Sequence, residues 1–405
     1  MGFSEKQRQI LRFPYTQYQA LICDGAVRSG KTSVMSLSFV LWVMGNFRGC
    51  SFAICGKSVG SVERNIVTPL LSVGYLRGHF DIRYLRGDHM LLIRRGEREN
   101  RIYLFGGKDE SSYALIQGVT LAGILLDEVA LMPRSFVEQA LARCSVAGAR
   151  FWFNCNPDSP RHWFYQEWIL GAQRHNALHL HFLMEDNPGL GAETLELYRT
   201  TYSGVFYQRY VLGEWVVAEG LVYTMFHSGL VVDEIPWQAK QRGRWFISVD
   251  YGTVNPTSAG LWCLWNGTAY RVSEYYYDSR KPGHIQRTDE EHYLEIEKLA
   301  GSRQIERIVL DPSAASFKAT IRRHGRFSVW DAVNSVLDGI RLTATLLKAG
   351  RLKFHRSCEG CLGEFQAYRW DTDAREDAVI KENDHAMDDI RYFCATVMAR
   401  GMRGV

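Results

Sequence analysis

Eight consecutive residues, Gly25-Ala26-Val27-Arg28-Ser29-Gly30-Lys31-Thr32, fit the phosphate-loop spacing of two glycines five positions apart followed by Lys and a hydroxyl residue. The pattern has a mechanical reading. A turn carrying Gly25, Ser29 and Gly30 aims backbone N–H groups at phosphates, Lys31 reaches the outer phosphates, and the Thr32 hydroxyl ligates Mg²⁺. The apolar run Ala20-Leu21-Ile22-Cys23 before it reads as a strand, and residues 33–44 read as the helix whose N-terminus faces the anion. The other half of an ATPase site is an apolar strand ending in acid. Leu121-Ala122-Gly123-Ile124-Leu125-Leu126-Asp127-Glu128 supplies it, with Asp127 holding Mg²⁺ through water and Glu128 polarising the attacking water.

A second set of acids lies in the other half of the chain. Asp250 ends the run Trp245-Phe246-Ile247-Ser248-Val249, and Asp311 ends Ile308-Val309-Leu310. Asp384, His385, Asp388 and Asp389 open a helix whose apolar stripe runs through Ile390, Phe393, Cys394, Val397 and Met398. Spacings of three and four put His385 and Asp384 on the same helical face as Asp388. Two strand-end carboxylates and one on a late helix are the oxygen ligands with which an RNase H-like nuclease holds two divalent ions, Mg²⁺ or Mn²⁺, for in-line displacement on a phosphodiester. Glu274, ending Tyr270-Arg271-Val272-Ser273, is a candidate further ligand.

These residues need elements to position them. Apolar β-type runs alternate with helical segments from the start to about residue 185, which implies an α/β fold with a largely parallel sheet and its ligand at the strands' carboxyl ends. Residues 1–185 are therefore expected to form a P-loop (RecA-like) ATPase domain, 186–240 a small helical subdomain and linker, and 241–405 an RNase H-like nuclease domain. The aromatic residues between Trp163 and Trp215 are expected to serve packing rather than base stacking. With 405 residues and 46% hydrophobic content, each domain can bury its own core. The 48 basic against 44 acidic residues leave only +4, so nucleic-acid binding does not follow from bulk charge. Nine scattered cysteines, a start without a signal-peptide pattern and no membrane-length apolar run suggest reduced thiols in a cytoplasm. His355, Cys358 and Cys361 have metal-like spacing but lack a second Cys pair, so a turn is expected there rather than zinc.

With both halves in view, the chain resembles the large terminase subunits of tailed double-stranded DNA bacteriophages over nearly its whole length. The resemblance is carried by Gly25 to Thr32, Phe105-Gly106-Gly107, Ile116-Gln117-Gly118, Leu125-Leu126-Asp127-Glu128-Val129-Ala130, Asn154-Cys155-Asn156-Pro157, Val249-Asp250-Tyr251-Gly252, Asp311-Pro312-Ser313 and His385-Ala386-Met387-Asp388-Asp389-Ile390-Arg391-Tyr392, in that order. It implies a packaging motor. An ATPase pumps viral DNA into a procapsid through the portal protein, and a nuclease cuts the concatemer. Implied partners are double-stranded DNA, portal and a small terminase subunit, with a homo-oligomeric ring on the procapsid, a monomer in solution and the host bacterial cytoplasm as the location.

By the same resemblance, Lys31 and Thr32 match the phosphate and Mg²⁺ contacts, Asp127 the Mg²⁺-linked acid and Glu128 the hydrolytic base. Arg28 matches an arginine that stabilises the transition state, and Asn156 a residue coupling the γ-phosphate to movement. Asp250, Asp311 and Asp388 match the nuclease ligands, with His385 beside them. Tyr15, Gln17 and Gln19 resemble an adenine-contacting segment, which makes Gln17 a nucleotide-binding candidate. Cys155 replaces the family's usual Ser/Thr. Arg143, Arg161 and Arg209 are unranked candidates for an intersubunit arginine finger. Two rival readings are a cellular ATP-dependent repair nuclease, which would usually carry a second RecA-like domain, and a nucleotide-gated scaffold on the portal with vestigial nuclease residues.

Overall fold

The computed structural model describes residues 2–253, 255–374 and 377–402, divided into two compact units. Residues 1–200 and 205–217 make the first, and 201–204 and 218–405 the second.

The first unit is built on an eight-stranded sheet. Its strands are β1 (Ala20–Gly25), β2 (Ser51–Gly56), β3 (Asp81–Leu85), β4 (Met90–Arg95), β5 (Arg98–Gly106), β6 (Gly123–Asp127), β7 (Arg150–Asn154) and β8 (Ala177–Phe182), in the order β3-β4-β5-β2-β6-β7-β1-β8. From β5 to β8 all neighbours are parallel, whereas β3 and β4 form an antiparallel extension. Every side chain of β1 and β6 is buried, as expected of central strands covered on both faces. The helix Lys31–Asn46 covers one face, packing Val34, Met35, Phe39 and Val43 against Leu21, Phe52 and Trp152. On the other face, Phe136 and Val137 of the helix Arg134–Ala142 meet Ile22, Ile124 and Phe153. Trp163, Trp168 and Trp215 pack against this second cluster, so these aromatic residues serve packing.

The second unit contains β9 (Val231–Val232), β10 (Arg244–Asp250), β11 (Thr257–Trp265), β12 (Thr268–Tyr277), β13 (Ile305–Leu310), β14 (Val329–Asp331) and β15 (Leu352–His355), ordered β14-β13-β10-β11-β12-β15-β9. β10, β11 and β12 form an antiparallel meander, and β13 and β14 add in parallel on the β10 side. The helix His385–Phe393 lies on this sheet with Ala386, Met387, Ile390 and Phe393 buried; Phe393 stacks on Trp262 at 4.3 Å between ring centroids.

The domain limits expected at 185 and 240 need correction. Residues 205–217 belong to the first unit: Trp215 Nε1 donates to the buried Asp24 carboxylate at 2.7 Å, and Val27 N to Tyr210 O at 2.9 Å. Residues 218–240 belong to the second. Val231 and Val232 pair with Phe354 and His355, and Ala239 packs on Cys263. Short stretches of chain joined non-locally to a distant strand leave no periodicity in the sequence.

Candidate nucleotide and nuclease sites

At the carboxyl end of the first sheet, the chain leaves β1 through the phosphate loop and enters the helix Lys31–Asn46. Gly25 has φ +117° and a side chain there would strike Phe182 O, only 2.0 Å from where a Cβ would sit. Gly30, at φ +83°, caps the helix in the left-handed region. Lys31 is buried, with its ammonium donating to Gly25 O at 3.0 Å, Ala26 O at 2.7 Å and Asn156 Oδ1 at 3.4 Å. Burial pulls its pKa down to about 8, against the opposing pull of Cys155, Asp24, Cys23 and Asp127. The Ser29 hydroxyl ties the loop to Ala26 O at 2.9 Å.

The neighbouring strands supply the acids. Asp127 ends β6 and Asn154 ends β7, directly opposite one another in register. Asn154 Nδ2 donates to Asp127 Oδ1 and, at 2.9 Å, to Thr32 Oγ1. Thr32 Oγ1 and Asp127 Oδ1 are 3.4 Å apart. Burial raises the Asp127 carboxyl despite these donors and Lys31. Glu128 turns sharply away at φ +56° and reaches the same cavity of about 420 Å³ as Lys31, Thr32, Asp127, Asn156 and Arg28. The guanidinium of Arg28 is held by Tyr198, whose OH accepts from Nε at 2.8 Å. Asn154 Oδ1 is a buried acceptor without a donor among the described residues. Together with Thr32 and Asp127 it makes an oxygen-rich corner of the kind a hydrated, hard divalent cation takes.

In the second unit, Asp250, Asp384, His385 and Asp388 open onto a cavity of about 500 Å³. His385 Nδ1 lies 2.9 Å from Asp250 Oδ2. Burial lifts the Asp250 carboxyl to about 6, opposed by the His385 contact and reinforced by Asp388 and Asp389. His385 is pushed above its ordinary value, since the carboxylates of Asp250, Asp384 and Glu364 outweigh its burial. Lys381 bridges Asp384 at 3.1 Å and Asp388 at 3.4 Å. Arg391 holds the other oxygen of Asp388 at 3.0 Å. The helix bearing these residues starts against Glu364, whose carboxylate accepts Ala386 N at 2.7 Å and Met387 N at 3.1 Å.

Residues 22–229 match the family described as "Terminase large subunit, T4likevirus-type, N-terminal". That is just over half of the chain. The chain belongs to the phage large terminases. A solved structure of the large terminase from a thermophilic bacteriophage is 45% identical, covers 98% of this chain and 100% of its own, and superposes with a TM-score of 0.92. The same thermophilic-phage protein in complex with ADP is similar at 44% identity over 98% of this chain and 100% of its own, with a TM-score of 0.89. The terminase large subunit of Escherichia phage T5 is 23% identical over 229 residues, which are 54% of this chain and 51% of that protein. The match thus spans about half the length of the curated relative. This fold of ATPase and nuclease units agrees with the sequence reading, and the relatives lend nothing to a cellular repair nuclease.

Four of the residues expected in the sites of this large terminase, Gln17, Glu274, Asp311 and Arg209, lie outside the linings of both cavities. Gln17 is exposed beyond the amino end of β1, with its carbonyl held by Asn176, whereas the phosphate loop leaves the carboxyl end. Six strand residues, about 20 Å, separate the two ends. Instead, Gln7 approaches the loop: it is buried, closes a capping box with Ser4, and its amide lies against Gly30. Glu274 is no open ligand, because its oxygens accept Gly360 N at 2.6 Å and Cys361 N at 3.2 Å and pair with buried Arg271 at 3.3 Å. Asp311 does not line the nuclease cavity. It accepts from Tyr392 OH at 2.7 Å, Asn334 Nδ2 at 3.0 Å and Ser313 N at 2.7 Å, donors that lower its pKa against its burial. Among the described residues, no three His, Cys, Asp or Glu side chains converge on one point.

Arg209 drops out as an intersubunit finger, being buried and paired with Asp158 at 3.0 Å. Both ring nitrogens of His355 are engaged, with Ser357 Oγ and Asp233 O. Asn154, Gln7, Lys381, Glu364 and Asn187, whose Nδ2 donates to Arg28 O at 2.7 Å at the edge of the nucleotide cavity, went unassigned in the sequence. Asn154 alone left a signal, as the strand-end residue two before Asn156.

Proposed function

We propose that this large terminase hydrolyses ATP in its first unit to drive double-stranded viral DNA into a procapsid, and that its second unit cuts the concatemer. The convergence of Lys31, Thr32, Asp127, Glu128 and Asn156 on one cavity carries the ATPase reading. Lys31 neutralises phosphate charge, Thr32 and Asp127 would hold a Mg²⁺, and Glu128 orients and deprotonates water for attack on the γ-phosphorus. Asn156, already within reach of Lys31, reports the state of that phosphate to β7.

For the nuclease, Asp250 and Asp388, which share the cavity, would hold Mg²⁺ or Mn²⁺, hard ions suited to their oxygens, and Asp311 would join them once released from Tyr392 and Asn334. Bound ions supply the activated water and stabilise the leaving oxygen. The chain's own contribution is to present these acids on the rigid ends of β10 and β13 and on a helix fixed by Glu364, with His385 orienting Asp250. The reading extends to a homo-oligomeric ring assembled at the portal with a small terminase subunit in the host cytoplasm, and to a monomer in dilute solution.

The test is DNA packaging with procapsids and ATP, scored as nuclease-protected DNA, alongside plasmid cleavage by the purified chain. Packaging that survives Lys31→Ala, or cleavage that survives Asp250→Asn, would overturn the corresponding half.

A further inference from the structure

The crossover after β2 is not a uniform helix. The α-helical turns Val59–Val62 and Thr68–Ser72 flank a π-helical turn, Glu63–Val67. Such a turn inserts one extra residue into the helix and is frequent at functional sites. Here its inner side, Ile66 and Val67, is anchored in the core with Val62 and Leu70. Its outer side presents two successive residues, Arg64 and Asn65, to the nucleotide cavity.

Each has something to act on. Asn65 lines the same cavity as Asp127 and favours the charged form of its carboxylate, which Asn154 holds from β7. Arg64 is exposed and has no acidic partner among the described residues. The other arginine of this cavity, Arg28, is engaged by Tyr198. A triphosphate brings about four negative charges, and hydrolysis shifts further charge onto the oxygens around the γ-phosphorus and the bridging oxygen. A guanidinium on a rigid crossover can meet that charge without reorganising.

Building on the ATPase reading, we propose that Arg64 is a catalytic residue of ATP hydrolysis, contacting the terminal phosphate from its own subunit, and that Asn65 is a positioning residue that orients Asp127 for Mg²⁺. The π turn is the device that lets neighbours in sequence do both. Arg64 approaches from the crossover side and Lys31 from the loop, so the two cations flank the phosphate.

The experiment uses the full chain, with steady-state ATP turnover, binding of a fluorescent ATP analogue and thermal melting. Arg64→Ala should lower kcat by about 10²–10³-fold while KM and analogue affinity stay within about threefold, because the contact strengthens in the transition state. Arg64→Lys should recover little, since an ammonium lacks the planar fork. Asn65→Ala should raise the Mg²⁺ needed for half-maximal turnover by about tenfold, with kcat approached again at high Mg²⁺. A kcat unchanged in Arg64→Ala, or lost together with folding in both Arg64 variants, would overturn the catalytic role, and an unchanged Mg²⁺ requirement would overturn the positioning role. Lys31→Ala in parallel separates the two readings: if it too turns over ATP normally, the phosphate-loop assignment has failed, not Arg64 alone.

Discussion

Asp389 and Arg271 meet in the interior of the second unit, both fully buried, with Nη2 and Oδ2 3.0 Å apart and a second contact through Nη1 and Oδ1. Ser248 Oγ donates to the same carboxylate at 2.8 Å, as does Ser258, and Trp262 Nε1 supports Ser248 at 2.8 Å. Asp388, one residue earlier, faces the nuclease cavity. Two adjacent aspartates thus divide the work: one fixes the helix to β10, β11 and β12, and the other is presented by it.

A charge buried this deeply is tolerable only while its partner stands. Arg271→Met strands the Asp389 carboxylate and should cost about 3–5 kcal/mol of the stability of this unit, whereas Arg271→Met with Asp389→Leu should recover most of it. Urea unfolding of the three proteins checks this. A loss below about 1 kcal/mol in the single variant would show that the pair does not hold the helix.

The phosphate site can be separated from the cutting site because the two lie in different compact units. Lys31→Ala should abolish ATP turnover and leave plasmid cleavage intact. Glu128→Gln should still bind ATP but hydrolyse it at least about 10²-fold more slowly, as expected for loss of a general base. Turnover and nucleotide binding measured on one preparation decide both, and loss of binding in Glu128→Gln would remove it as the base.

Among the acids, Asp250→Asn and Asp388→Asn should each lower cleavage by orders of magnitude without unfolding the chain, since relieving carboxylate crowding costs little. Asp311→Asn should do the same if metal draws this residue away from Tyr392 and Asn334. His385→Ala should be milder, because histidine is poorly suited to a hard cation. Glu274→Gln provides the contrast: its oxygens cap the helix Glu359–Ala367 and pair with Arg271, so it should lower the melting temperature and leave the metal requirement of cleavage unchanged. Cleavage and Mn²⁺ titrations across the five variants test the set.

What the sequence revealed and what it hid follow the same physics. The phosphate loop, β6 with Asp127 and Glu128, and the helix of Asp388 were legible because strand, turn and helix follow one another locally and their residue types are forced by anion, cation and turn geometry. The antiparallel extension β3 and β4 was not legible. In β3 the charged Asp81 and Arg83 alternate with Ile82 and Tyr84, and the apolar run of β4 lasts only from Met90 to Ile93 before Arg94 and Arg95. Gln17 looked suitable by its neighbours, but only the fold shows which end of β1 it occupies. Glu274 shared the strand-end appearance of Asp250, and two backbone amides from a distant helix consume it. Such donors are invisible without tertiary structure.

Glu364 offers a pH test of how the helix carrying His385 and Asp388 is mounted. It is buried against that helix's first amides, and burial raises its carboxyl to about 7 in spite of Tyr276 OH, Met387 N and Ala386 N. The unfolded chain releases this proton near pH 4.5. Between those values the folded state binds more protons than the unfolded one, so this group makes stability fall as pH rises from about 4.5 to about 7 and contributes no further change above that. Glu364→Gln keeps a carbonyl for the two amides and does not titrate. The variant should therefore match the wild type near pH 4.5 and exceed it by up to about 3 kcal/mol above pH 7.5, at 1.36 kcal/mol per pKa unit. Urea midpoints at pH 4.5, 6 and 8 measure the difference. A gap that stays constant with pH would mean that Glu364 is ionised throughout, held as a charged cap on the helix rather than as a buried acid.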